Sequence, residues 1–165
     1  MRLLQFSFLI FLLSVLYFWN KSIPKIAIQK ADLIIVEKSR RKLFLFKNGI
    51  AFREYSISLG KVPIGAKMKE GDKKTPEGNY IIDWRNPNSK FYLSLHISYP
   101  SKFDLENGKT GSNIMIHGLP NGLSIFDKLY FENRDWTDGC ISVKNMEIEE
   151  IWNSVDNGTP ILIKP

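Results

Sequence analysis

Cysteine and histidine are scarce in this sequence: its 165 residues include one cysteine, Cys140, and two histidines, His96 and His117. A single cysteine excludes an intrachain disulfide and a zinc site built from several thiolates. Two histidines are too few for a three-histidine metal site. The sequence therefore predicts no metal site of these kinds.

Several patterns typical of common enzyme and binding folds are also missing. The chain has no glycine-rich phosphate loop, no regular alternation of strands and helices, and no Gly-x-Ser-x-Gly motif of serine hydrolases. No nucleic-acid-binding signature is visible, so we expect no nucleic acid partner. The composition, with 44% hydrophobic and 24% charged residues, is that of a globular protein and excludes wholesale disorder.

Positive charge is concentrated in the first half of the chain. The net charge is +6, and residues 21–74 carry 14 Lys and Arg against 5 Asp and Glu. Residues 75–165 carry 8 against 12. The basic half suits an anionic surface such as lipid headgroups or a cell-wall polymer, and it equally suits a solvated lysine-rich surface.

An apolar run occupies residues 3–19, interrupted only by Gln5, Ser7 and Ser14. It has the length of a signal-peptide core or a short membrane span. Bulky residues follow it, with no small-x-small cleavage pattern, which favours an uncleaved anchor over a removed signal. We expect residues 1–20 to be this anchor or signal, residues 21–30 a linker, and residues 31–165 one domain.

The domain is predicted to be mainly β with one or two short helices. Asn48-Gly49 is a strong hairpin signal, and residues 33–59 are predicted to form a meander. The helix is indicated by Ile148, Ile151 and Val155 at helical spacing, with Asn145 as N-cap and Gly158 as stop; a weaker helical pattern includes Phe126 and Leu129. The predicted strands lie at residues 33–36, 43–46, 50–59, 80–84, 91–97, 113–116, 140–143 and 161–163.

Residues 60–78 form a long, lysine-rich stretch that shows neither a helical nor a strand periodicity, so we predict a loop. A loop of this length in a compact domain is usually functional or mobile. Its lysines include Lys61, Lys67, Lys69 and Lys73. We expect the loop from Lys61 to Gly78 to repel itself, to lack apolar anchors and to be mobile on its own. We also expect it to border the active site and to gate substrate entry; the alternative is a solubilising surface loop remote from Cys140.

Cys140 and His117 are the candidate catalytic pair. A cysteine nucleophile needs a base and backbone N–H groups directed at the developing oxyanion. Gly139 permits a tight turn before Cys140, and amides of Asp138, Gly139 and Cys140 could form the oxyanion hole. His117 ends a predicted strand and is the natural base. Taken singly, each residue is more often structural.

Together with neighbouring motifs, these residues resemble the L,D-transpeptidase catalytic domain, also called the YkuD domain, and its YafK-like murein branch. The motifs are His117-Gly118, then Thr137-Asp138-Gly139-Cys140 followed by Ser142, and an upstream Thr75-Pro76-Glu77-Gly78. Two positions depart from the common pattern: Asp138 stands where many members have His, and Ser142 where many have Arg or Asn. We expect Asp138 to point outward or to hold a substrate amine.

The resemblance implies a β-sandwich or barrel and no metal or organic cofactor. It also implies a cysteine acyltransferase that acts on peptidoglycan stem tetrapeptides. We expect the domain to lie in the periplasm, anchored to the inner membrane by residues 3–19. The resemblance also implies that the third member of the triad is a backbone carbonyl. The thioester would pass to an amine or to water, so cross-linking and hydrolysis stay open, as does a non-catalytic cell-wall-binding module. The oligomeric state stays open too. Candidate substrate contacts are His96, Trp136, Thr137, Ser142 and Gly118.

Overall fold

The computed structural model describes residues 28–132 and 134–165, so the predicted anchor at residues 3–19 lies outside the described residues. Eight strands form one sheet in the order β3-β2-β1-β8-β4-β5-β6-β7. The strands are β1 (Leu33–Glu37), β2 (Lys42–Lys47), β3 (Ile50–Ser56), β4 (Gly78–Ser89), β5 (Tyr92–Ile97), β6 (Met115–His117), β7 (Ile141–Ser142) and β8 (Pro160–Lys164). The helices are α1 (Lys102–Glu106), α2 (Ile125–Glu132) and α3 (Asn145–Ser154).

The predicted meander is confirmed in β1 to β3, which pair antiparallel. Asn48 and Gly49 connect β2 to β3 with φ angles of 51° and 77°, as a two-residue turn of the mirror-image type requires. In β1 and β2 every second side chain is buried, including Ile34, Val36 and Leu43. This alternation places one face of the sheet against the core.

The two ends of the sheet meet through the chain that follows β3. The Ser58 amide donates to the Ser142 carbonyl at 2.9 Å, and the Ser142 amide donates back at 2.8 Å. A second bridge joins Gly60 to Thr137. The sheet therefore closes on itself, which agrees with the barrel alternative of the expected fold and brings residues 57–60 beside the Cys140 loop.

Helix α3 covers the core through Ile148, Ile151 and Val155, all fully buried, as predicted. Its predicted ends were wrong. The N-cap is Lys144, because the side chain of Asn145 accepts a hydrogen bond from the Leu119 amide instead. The helix ends at Ser154, before Gly158.

The described residues contain three helices rather than the expected one or two. Helix α2 matches the weaker helical pattern, and it leaves Phe126 80% exposed. Helix α1 was missed; Ser101 and Asp104 close a reciprocal capping box around its first turn. Within residues 28–132 and 134–165, no helix has the length and apolar character that crossing a membrane requires.

Candidate active site

Cys140 and His117 lie on neighbouring parallel strands. Strands β6 and β7 pair with Ile116 opposite Ile141 and His117 opposite Ser142. Ile116 and Ile141 are fully buried in the core, so alternation places His117, and Cys140 just before β7, on the opposite face. Both side chains line one cavity of about 440 Å³. The structure thus brings the two predicted residues to one site.

The imidazole of His117 is buried and fixed in one orientation. Its Nδ1 lies 2.6 Å from the carbonyl oxygen of Gly118, to which only a protonated Nδ1 can donate. The ring stacks on Phe91 with centroids 4.5 Å apart. Burial lowers the pKa of His117 to about 4, against the opposing effect of the Gly118 bond. At neutral pH the ring is therefore uncharged, with a basic Nε2.

The Gly118 carbonyl is shared by His117 and Ser142. The Ser142 hydroxyl donates to it at 3.4 Å, and Ser142 is 2% exposed. A Cβ on Gly118 would lie 2.7 Å from Oδ1 of Asn145 and 3.0 Å from the backbone oxygen of Phe91, so a larger residue would have to displace these neighbours. Two predicted substrate contacts, Ser142 and Gly118, are in this structure part of the support for the imidazole.

The loop before Cys140 is held by the buried hydroxyl of Thr137. This hydroxyl accepts a hydrogen bond from the Gly139 amide at 3.1 Å and donates to the Cys140 carbonyl at 2.7 Å. The Gly139 amide is therefore occupied, contrary to its expected role in an oxyanion hole. No acceptor for the Cys140 amide is found among the described residues, which leaves that N–H as a candidate oxyanion donor.

The thiol of Cys140 is protonated at rest. Burial raises the pKa of this thiol, the Met115 amide opposes the rise, and the charge of Asp138 adds to it. Sγ lies 3.5 Å from the carbonyl oxygen of Asn113, which can accept a hydrogen bond from the S–H group. Burial thus favours a neutral pair, in which the Cys140 thiol and the His117 imidazole are both uncharged, over a thiolate–imidazolium pair.

A second cavity, of about 540 Å³, meets the first at Cys140. Its lining includes Lys61, Lys67, Lys73 and Asp138. The Asp138 carboxylate points outward, 78% exposed, and lies 3.2 Å from Nζ of Lys61. Its predicted outward orientation is confirmed. The thiol opens on one side to a cavity whose lining carries both lysines and the carboxylates of Glu70 and Asp138.

Residues of the predicted loop line the cavity that opens at Cys140, and polar contacts anchor the loop. Lys67 is 3% exposed, and its Nζ lies 2.8 Å from the Asp72 carboxylate. That carboxylate also accepts hydrogen bonds from the amides of Met68, Lys69 and Lys74. An ion pair inside the loop therefore replaces the apolar contacts that the loop lacks.

The remaining predicted residues divide between the site and its surroundings. Trp136 packs edge-on against His117, with centroids 5.6 Å apart. His96 lies two strands from β7, on the same face as Met115. Phe91 was missed as a site residue, because an aromatic in a strand is usually read as core. No group of three or more side chains suited to a metal occurs within residues 28–132 and 134–165.

Comparisons with known proteins agree with this geometry. The model of the L,D-transpeptidase catalytic domain, YkuD, matches residues 31–163. The protein YafK of Escherichia coli K12 is 32% identical over 129 residues, which make up 74% of this chain and 46% of YafK.

Two solved structures are also similar. The helical cell shape determining protein Pgp2 from Campylobacter jejuni superposes with a TM-score of 0.64 at 26% identity, covering 89% of this chain and 54% of Pgp2. Bd1075 from Bdellovibrio bacteriovorus superposes with a TM-score of 0.59 at 30% identity, covering 86% of this chain and 50% of Bd1075. The chain thus spans about half the length of these relatives.

Proposed function

Since the chain belongs to the L,D-transpeptidase catalytic domain family, we propose that it is a cysteine acyltransferase that acts on peptidoglycan stem tetrapeptides through a Cys140 thioester. The observation that carries this proposal is the placement of His117. Its Nδ1 is bonded to the Gly118 carbonyl, and it shares a cavity with the thiol. An imidazole nitrogen that is free to take a proton, in the same cavity as a thiol, suits nucleophilic catalysis.

In the first half-reaction, His117 Nε2 takes the thiol proton as Sγ attacks the carbonyl carbon of the third stem residue. The carbonyl oxygen becomes an oxyanion, which the Cys140 amide can stabilise. The tetrahedral intermediate collapses and the bond to the terminal D-Ala breaks. His117 returns the proton to the leaving amine, so D-Ala is released and the acyl group remains on Sγ.

In the second half-reaction, an acceptor attacks the thioester and His117 takes its proton. An amine acceptor gives a cross-link or an attached protein, and water gives a shortened peptide. The thiolate regains its proton from His117, which restores the neutral pair. The cavity at Cys140 has a mixed-charge lining, in which Lys61 and Lys73 can bind carboxylates of a stem peptide while Glu70 and Asp138 can bind its amines.

The experiment is to incubate the purified chain with disaccharide-tetrapeptide muropeptides, with and without an amine acceptor, and to identify the products by mass. We expect D-Ala release and a product whose mass reveals the acceptor. Cys140→Ala is the control. Intact muropeptides after incubation with the wild-type chain would count against catalysis and favour a binding module.

We further propose that the domain works in the cell envelope and that residues 3–19 tether it to the inner membrane on the periplasmic side. The proposal rests on the apolar run at residues 3–19 and on the family of the domain. Sequencing the N-terminus of the protein from envelope fractions tests it. A mature N-terminus near residues 20–30 would refute the tether.

A further inference from the structure

A β-bulge in β4 places two side chains opposite one position of β5. The register between these strands shifts between Ile82 and Arg85, so Asp83 and Trp84 both lie opposite His96. Oδ1 of Asp83 lies 2.6 Å from Nδ1 of His96. The Trp84 indole stacks on the imidazole, with centroids 4.9 Å and planes 18° apart. Bulges are frequent beside active sites, where they redirect side chains.

We call Asp83, Trp84 and His96 the Trp84 platform, and it lies in line with the nucleophile. His96 is opposite Met115 in the pairing of β5 with β6. The parallel pairing of β6 with β7 puts Met115 level with Cys140. The platform and Cys140 therefore lie on one row across the same sheet face, three strand spacings apart, or roughly 14 Å.

The platform is open to a ligand. Trp84 is 40% exposed although its ring is held by stacking, and the Asp83 side chain is 35% exposed. An exposed, immobilised indole offers a flat apolar face at low entropic cost. The carboxylate beside it can accept hydrogen bonds from hydroxyl groups. A flat apolar surface edged by an acceptor matches a sugar ring, which has C–H faces and hydroxyls at its rim.

We infer that the Trp84 platform is a subsite for a sugar ring of the peptidoglycan glycan strand. This inference rests on the proposed function, because it places the third stem residue at Cys140. Three extended residues span about 10 Å, and the lactyl group that joins peptide to sugar supplies the remaining distance to the platform. The donor would thus lie across the sheet, with its reacting carbonyl at one end of the row and its sugar at the other.

The test is direct binding to the purified Cys140→Ala chain, measured by calorimetry with a tetramer of N-acetylglucosamine as the probe. We expect Trp84→Ala to weaken binding about tenfold, the effect of losing one aromatic stacking contact. Trp84→Phe, which keeps a ring, should weaken it less. Ile50→Ala is the matched control, since Ile50 is also exposed but lies on β3 at the other end of the sheet order.

A parent chain that does not bind the tetramer, or Trp84→Ala binding with unchanged affinity, would overturn the inference. Sugar-free stem tetrapeptide provides a second arm. If Trp84→Ala weakens the peptide as much as the sugar, the platform is a peptide site and the inference is wrong. Sugar binding that depends on Trp84, together with no D-Ala release by the wild-type chain, would refute the proposed function alone. D-Ala release by the wild-type chain without such sugar binding would refute the subsite alone.

Discussion

Replacing Lys67 by Met should destabilise the domain by about 3 kcal/mol. Lys67 and Asp72 form an ion pair in which the two side chains are 3% and 10% exposed. Removing one partner of a buried pair leaves an uncompensated charge and costs roughly 3–5 kcal/mol. Asp72 retains hydrogen bonds from three backbone amides, so we expect the lower end of this range. Met is chosen because it is uncharged and of similar length.

The assay is urea unfolding of the domain, with Lys69→Met as the matched control. Lys69 lies in the same loop but is exposed, so its substitution should change the free energy of unfolding by less than about 0.5 kcal/mol. In thermal unfolding, Lys67→Met should lower the Tm by about 6–12 °C for a domain of this size. Equal effects of the two substitutions would refute the argument that Lys67 is an anchor.

The ion pair of Lys67 with Asp72 should also make the stability of the domain depend on pH. Burial acts to raise the pKa of Asp72, but the Lys67 bond and the backbone amides outweigh it and hold that pKa well below its ordinary value. A depressed carboxyl pKa stabilises the fold above the unfolded-state value of about 3.9, and this stability is lost as the pH falls further. The urea midpoint of the wild type should therefore decline below about pH 4, and more steeply than that of Lys67→Met.

Three further outcomes follow from the site. Cys140→Ala should abolish D-Ala release while leaving the Tm nearly unchanged; release by the purified variant would exclude Cys140 as nucleophile. Burial lowers the pKa of His117 to about 4 and raises that of the Cys140 thiol, so kcat/KM should increase as the pH rises through about 4 and then stay level through neutrality. An increase centred near the ordinary histidine pKa of about 6.5 would contradict the neutral pair. Gly139→Ala should lower the free energy of unfolding by about 1–3 kcal/mol, because Gly139 has a φ of +134° and a Cβ there would lie 2.7 Å from the Lys74 carbonyl oxygen. Gly122→Ala is the control and should cost less, since Gly122 also has a positive φ but faces open space. Equal urea midpoints for the two variants would argue against the close approach at Gly139.

Elements set by local signals were predictable from the sequence. The Asn48-Gly49 turn and the alternating burial of β1 and β2 need only neighbouring residues. Helix α1 was missed because five residues are too few to show a helical period. Its one readable signal was Ser101 followed three residues later by Asp104, a capping pattern with Asp in place of the usual Glu or Gln.

The grouping of Cys140 and His117 at one site was predictable because each residue type is rare and stands in a recognisable motif. The environment of the pair was not. Lysines are almost never fully buried, so nothing in the sequence marked Lys67 as an internal anchor. In the same way, the bulge that places Asp83 and Trp84 opposite His96 depends on strand register, which a single sequence does not specify here.

Ser142 gives the chain's departure from the common family pattern a structural meaning. A long cation at this position would need space and solvent, whereas Ser142 is buried and bonded to the carbonyl that orients His117. Its substitution therefore moves this position from ligand contact to support of the base. Lysines near the thiol come instead from residues 60–78, where Lys61 and Lys73 line the cavity that opens at Cys140, together with Glu70. The ion pair of Lys67 with Asp72 holds this loop. We therefore expect loss of the pair to change the charge distribution around Cys140 as well as the stability of the domain.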